Sequence, residues 1–207
     1  MGGLSNGDRV SQKIVQCMTG YARQLQPNQM DGVLTSLVDA TNTQVNQMLG
    51  PSGIYKSGST LLAVLVRGGR FHWITVGDSR IYLFRKGQMT KLNREHNLGN
   101  ELLEKVARGE MSFEKAQQTP KKGSVTSFIG MGRLKYIDKS NQSIPIEAGD
   151  RILLMTDGVF NTLSEQVMAS VLVQTADVQA AASEFERLIK QKAAPKQDNY
   201  SALILGF

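Results

Sequence analysis

Residues 150–161, DRILLMTDGVFN, constrain the fold more than any other stretch of the chain. Residues 151–156 are an apolar run of strand length, and the Asp157-Gly158 pair ends that strand and turns the chain. A carboxylate at the tip of a buried strand is held by a rigid neighbour, and the glycine beside it lets backbone or ligand approach where a Cβ would interfere. Taken alone, an Asp-Gly pair is ordinarily a turn. Two further aspartates occupy the same kind of place: Asp78 in VGDSR, behind a strand pattern, and Asp198 in QDN, just before the last one.

Around this stretch the hydrophobic period changes twice. Residues 7–25 place Val10, Ile14, Val15, Met18, Tyr21, Ala22 and Leu25 at helical spacing, and residues 30–49 repeat the pattern with Val33, Leu34, Leu37, Val38, Ala40 and Val45, the two being joined near Pro27. Strands are then predicted over 57–66, 71–76, 80–85 and 89–92. Tight turns at Gly68-Gly69, Gly77-Asp78-Ser79 and Lys86-Gly87 would connect them as an antiparallel meander. A polar excursion carries short helices over 101–108 and 112–118, the second capped by Ser112. Strands return at 124–129, 135–139 and 151–155. Helices over 162–173 and 178–192, with Ser164 and Asp177 as caps, precede a final strand at 200–205. This order excludes a doubly wound parallel sheet. It predicts an α+β fold, a four-layer α-β-β-α sandwich of two antiparallel sheets flanked by helices, in a single domain over 1–207.

The rest of the composition removes most rival chemistries. One cysteine, Cys17, and two histidines in 207 residues exclude an internal disulfide, a cysteine cluster and a three-histidine site. The glycines of 53–59 lack a P-loop lysine, and there is neither a G-x-S-x-G elbow nor an H-E-x-x-H pair. The longest apolar runs fall far short of the ~20 residues of a membrane span. The N-terminus has no signal pattern, and Asn6 breaks a myristoylation motif, so no membrane partner and a cytoplasmic location are expected. The net charge of +6 is spread over short basic groups without the aromatic interleaving of a base-reading surface. Nucleic acid is therefore not the expected partner; a solvated face is the default reading, and attraction of anionic partners such as phosphorylated proteins is its modest functional version. Three aspartates at strand ends, with no competing histidine or cysteine set, suit a hard divalent cation that activates a water. Turn roles for all three are the equal alternative.

Read in order, SGSTLLAVLV, HWITVGDSRIYLFRKGQMTKLNREHN, NELLEKVARGEMSFEKAQQTPKKGSVTSFIG, IEAGDRILLMTDGVFNTLSEQVM and QDNYSALIL resemble the successive motifs of the type-2C, PPM-family, metal-dependent protein serine/threonine phosphatases, bacterial branch. The resemblance covers nearly the whole chain. It implies two or three magnesium or manganese ions in a cleft between the sheets, and in-line attack by a metal-bridging water on phosphoserine or phosphothreonine without a phosphoenzyme. It also implies that Asp157 and Asp198 are core metal ligands, that Asp78 serves an additional metal, and that Gly158 is the glycine beside the first ligand. Residues 96–122 match a flap over the cleft, and the expected substrate is a protein phosphorylated by a serine/threonine kinase. The basic Lys121-Lys122 pair at the end of the flap suits attraction of a phosphorylated loop, with simple solvation the equal alternative.

Met1-Gly2-Gly3 followed by Gly7 matches the tail of the family's D-G-M-G-G motif, whose bridging aspartate would precede Met1. The family's phosphate-holding arginine, an acidic pair and their strands would also lie upstream, and Asn161 stands where many members have a further aspartate. On this reading the chain is expected to lack N-terminal strands, to hold fewer ions and to hydrolyse a chromogenic phosphate ester poorly with manganese. It is also expected to cover open sheet edges by forming a dimer or swapped assembly. The competing readings are a non-catalytic relative serving as a regulatory or binding module, and an unrelated sandwich that binds no divalent ion near Asp157 and Asp198.

Overall fold

Helical spacing at the start of the chain gives two helices whose apolar sides are buried. In the computed structural model, which describes residues 7–26, 32–192, 195 and 197–207, these are α1 (Gly7–Ala22) and α2 (Val33–Gly53). Val10, Ile14 and Cys17 are buried on α1, and Leu34, Val38 and Val45 on α2. The expected junction at Pro27, Met30 of the expected second helix, and Met1-Gly2-Gly3 lie outside the described residues. α2 breaks at Gly50, whose φ of 63° is left-handed, and Pro51 starts the last turn, where a missing N–H costs nothing.

Then follow β1 (Leu61–Arg67), β2 (Arg70–Val76), β3 (Arg80–Arg85), β4 (Gln88–Lys91), α3 (Leu98–Ala107), α4 (Phe113–Gln118), β5 (Asp138–Lys139) and β6 (Ile144–Pro145). The chain closes with β7 (Arg151–Met155), α5 (Asp157–Phe160), α6 (Glu165–Gln174), α7 (Val178–Lys192) and β8 (Ala202–Gly206). Side-chain oxygens of Asn97, Ser112 and Ser164 cap α3, α4 and α6. The architecture is α+β with two antiparallel sheets. One runs β1-β2-β5 with β6 on the beginning of β2, and the other runs β4-β3-β7-β8.

The expected four-strand meander is therefore corrected. β1 with β2 and β3 with β4 are neighbours, but β2 and β3 belong to different sheets. Between them stands Gly77, at a φ of 115°, where a Cβ would meet Thr60 at 2.3 Å, and beyond it the chain leaves the sheet of β2 for that of β3. The expected strand at 124–129 is also absent. Its backbone makes single bridges, Asn97 with Val125 and Ser59 with Ile129, because loop partners rather than a neighbouring strand satisfy it.

The molecule has two compact units, each with its own core. The first spans Met1–Arg67, His72–Asp78 and Glu95–Ser143. There Val10, Ile14, Leu34, Val38 and Val45 pack with Leu61, Ile74, Val76 and Ile129. The second spans Gly68–Phe71, Ser79–Arg94 and Ile144–Phe207. In it Tyr82 and Phe84 of β3 and Leu153 and Met155 of β7 share one face with Met168 and Leu172 of α6 and Phe185 and Ile189 of α7. The alternate residues Ile81, Leu83 and Ile152 are buried as well, which is why these strands read as apolar on both faces. Burial on this scale stabilises by about 1.5–3 kcal/mol for each large apolar side chain.

Candidate metal centre

The site lies where β7 and β8 run out. Their antiparallel register ends at Met155 opposite Ala202. One residue further on, the Thr156 N–H donates to the Ser201 carbonyl at 3.0 Å, and the Ser201 N–H donates to Thr156 Oγ1 at 2.9 Å. Asp157 is thus fixed at the end of a ladder and opens the single turn of α5, while Asp198 sits on the segment entering β8. Gly158 brings the two segments into contact. A Cβ on it would lie 2.4 Å from the Asn199 carbonyl oxygen and 3.0 Å from that of Asp198, so only glycine fits.

The two carboxylates are held in the same way. Oδ1 of Asp157 accepts the Gly158 N–H at 2.9 Å, and Oδ1 of Asp198 accepts the Asn199 N–H at 2.8 Å. The second oxygen of each has no hydrogen bond to any described residue. Asp157 is half-buried and Asp198 exposed. This donor set fits a hard divalent cation: magnesium is commonly bound through one or two carboxylates and keeps several waters. Among the described residues, no group of three or more His, Cys, Asp or Glu is placed to hold a metal.

Residues that the sequence did not single out hold the site from behind. The Arg80 guanidinium lies 3.8 Å from the centre of the Phe160 ring on α5. It also donates to the Tyr82 hydroxyl at 3.1 Å, which in turn donates to Glu165 Oε1 at 2.9 Å at the start of α6. Burial, opposed by Arg80 and reinforced by Glu165, pushes the Tyr82 phenol up to about 12. The Gly158 carbonyl accepts from Gln197 Nε2 at 3.0 Å and lies 2.9 Å from the Thr162 hydroxyl oxygen. Asn161 ends α5, its N–H donating to the Asp157 carbonyl at 2.9 Å.

Asp157, Gly158 and Asp198 come together in the second unit. Asp78, Lys121 and Lys122 belong to the first. Asp78 is half-buried and follows Gly77, whose N–H donates to His96 Nδ1 at 3.0 Å and whose carbonyl accepts the His96 N–H at 2.9 Å. That pairing leaves the imidazole proton on Nε2 when the ring is neutral. Lys122 is exposed and donates to the carbonyl and side-chain oxygens of Gln117, each at 3.1 Å, at the C-terminal end of α4. Lys121 is exposed with a φ of 57°.

The family model for protein phosphatase 2C matches residues 1–192. The chain is 25% identical over 210 residues to the serine/threonine phosphatase stp of Listeria innocua serovar 6a, a match covering 99% of this chain and 81% of that protein. Among solved structures, the Mycobacterium tuberculosis serine/threonine phosphatase PstP/Ppp is 24% identical and shares the fold. Its TM-score is 0.79, with 100% of this chain and 86% of that one covered. A catalytic domain of PstP in complex with 2 manganese ions, 23% identical, gives a TM-score of 0.76 over 99% of this chain and 83% of that one.

Proposed function

The chain belongs to the protein phosphatase 2C family, and from that membership we propose that it removes phosphate from phosphoserine and phosphothreonine in phosphorylated proteins. Asp157 and Asp198 would hold the magnesium or manganese this requires. The observation that carries the reading is the close approach of Gly158 to the Asp198-Asn199 backbone, which brings together the two backbone segments, distant in sequence, that carry Asp157 and Asp198. The two manganese ions of the PstP complex support the choice of metal.

A bound divalent cation supplies an acidified water as nucleophile and charge to offset the phosphoryl oxygens. The protein's own part is to present Asp157 from a rigid strand end, with Arg80 stacked on Phe160 to keep α5 in place. Asp198, being exposed, stands where a phosphoprotein loop can reach it. Asp78 is proposed as the ligand of an additional ion, and Lys121 and Lys122 as contacts that attract anionic substrate. The substrates would be products of a serine/threonine kinase. No helix among the described residues is long and apolar enough to cross a membrane, and action in the cytoplasm is part of the same proposal.

The test is manganese titration together with turnover of a phosphothreonine peptide. Asp157→Asn and Asp198→Asn should each lower turnover by at least about 100-fold, more than the loss of an outlying partner of a ligand costs. A wild-type chain that binds no manganese would point instead to a fold used for binding alone. Variants as active as the wild type would dismiss these two residues as ligands.

A further inference from the structure

We propose that Gln197 and Thr162 are positioning residues that set the separation of the two carboxylate-bearing segments, and with it the affinity for the divalent cation; the inference rests on the phosphatase reading above. Gln197 uses both ends of its amide. Its Nε2 donates to the carbonyl of Gly158 at 3.0 Å and to that of Asp198, also at 3.0 Å, so one NH2 group spans both segments. Its Oε1 lies 2.8 Å from Thr162 Oγ1, which is also 2.9 Å from the Gly158 carbonyl. Turning the amide over would set its oxygen against two carbonyl oxygens, so a single orientation is selected.

Thr162 is 6% exposed, and its own carbonyl accepts Lys192 Nζ at 2.5 Å from the last turn of α7. The strap is thereby anchored to a helix that contributes Phe185 and Ile189 to the core. Neither Gln197 nor Thr162 hydrogen-bonds a carboxylate oxygen of Asp157 or Asp198, so both act through the backbone that carries those groups. Asp198 lies on an exposed segment, and a ligand that must be ordered when the ion arrives binds it more weakly than one already held in place. Gly158 permits the close approach, and the Gln197–Thr162 pair keeps the segments from parting.

The experiment is calorimetric titration of the full chain with manganese chloride, with melting curves recorded on the metal-free protein. Thr162→Val keeps the shape and removes the hydroxyl, and Gln197→Ala removes the amide. Each is expected to weaken manganese binding by about 10- to 100-fold. Because the two residues act as a unit, the double variant should be little worse than the weaker single one. Thr162→Ser restores the hydroxyl and should bind within about twofold of wild type, a rescue that a purely structural role would not produce. Amide exchange of residues 197–201 should rise in the metal-free Val and Ala variants.

Folded variants that bind manganese as tightly as the wild type overturn the strap and leave the phosphatase reading standing. A wild type that binds none removes that reading and the strap with it. If Thr162→Val does not fold, Gln197→Ala, at a half-buried loop position, decides on the same criterion.

Discussion

At Gly158 one added methyl group would meet two backbone carbonyl oxygens, and backbone cannot swing aside as a long side chain can. Gly158→Ala must therefore push the Asp198-Asn199 segment outward. It should cost about 1–3 kcal/mol of stability, typical of forced overpacking, and weaken manganese binding by at least about tenfold, as read by melting and titration. The Asp-Gly pair marks, in sequence, a place where something approaches closely. That the approaching group is the backbone beside Asp198 follows only from the pairing of β7 with β8. Gln197 and Thr162 carry no sequence signal, since an amide and a hydroxyl become informative only when their partners are known.

Among the elements, β3 and β7 are joined at their far end by a charged clamp. Arg85 Nε and Nη2 reach the two oxygens of Asp150 at 2.8 and 2.6 Å, and Asp150 is only 1% exposed. Burial, the largest single influence, works to raise the Asp150 pKa, but Arg85, the Glu147 N–H and Lys86 together hold it below the ordinary 3.8. A carboxyl depressed in the folded state adds stability that is present above its unfolded pKa. That stability is lost as pH falls below about 3.8 toward the folded value. Asp150→Asn should cost about 2–3 kcal/mol at pH 7 and flatten the acid limb of the stability curve.

The alkaline side has the opposite sign. Tyr82 holds its proton to about 12 in the folded chain against 10 unfolded, so stability should decline as pH rises from about 10 to 12. Tyr82→Phe should remove that decline in urea titrations across this range. Packing gives a third measure on the same elements: Phe185→Ala, at 1% exposure, should cost about 3–5 kcal/mol by chemical denaturation.

For the molecule as a whole, a net charge of +6 predicts long-range attraction of anionic substrates. Raising the salt from 50 mM toward 500 mM shortens the screening length below ~10 Å, so kcat/KM for a phosphothreonine peptide should fall severalfold, chiefly through KM. A rate insensitive to salt would mean that the charge serves solubility alone. Each of the two units carries a separate core, and the strands that contribute to them were legible from their apolar runs. Which sheet each strand joins was not, because turn residues such as Gly77-Asp78-Ser79 look the same whether the chain folds back into a hairpin or leaves the sheet.

The order of periodicities gave every helix except the single turn of α5, most strands and the α+β class, since burial of an apolar stripe is a local demand that each segment states for itself. The motifs carried the resemblance to a phosphatase family because their spacing persists through nearly the whole chain. Sheet membership, the absence of a strand at 124–129 and the strap behind Asp157 and Asp198 were decided by tertiary structure. They depend on which distant backbone groups meet, and a hydrogen bond between residues 162 and 197 leaves no mark on either residue's neighbours in sequence.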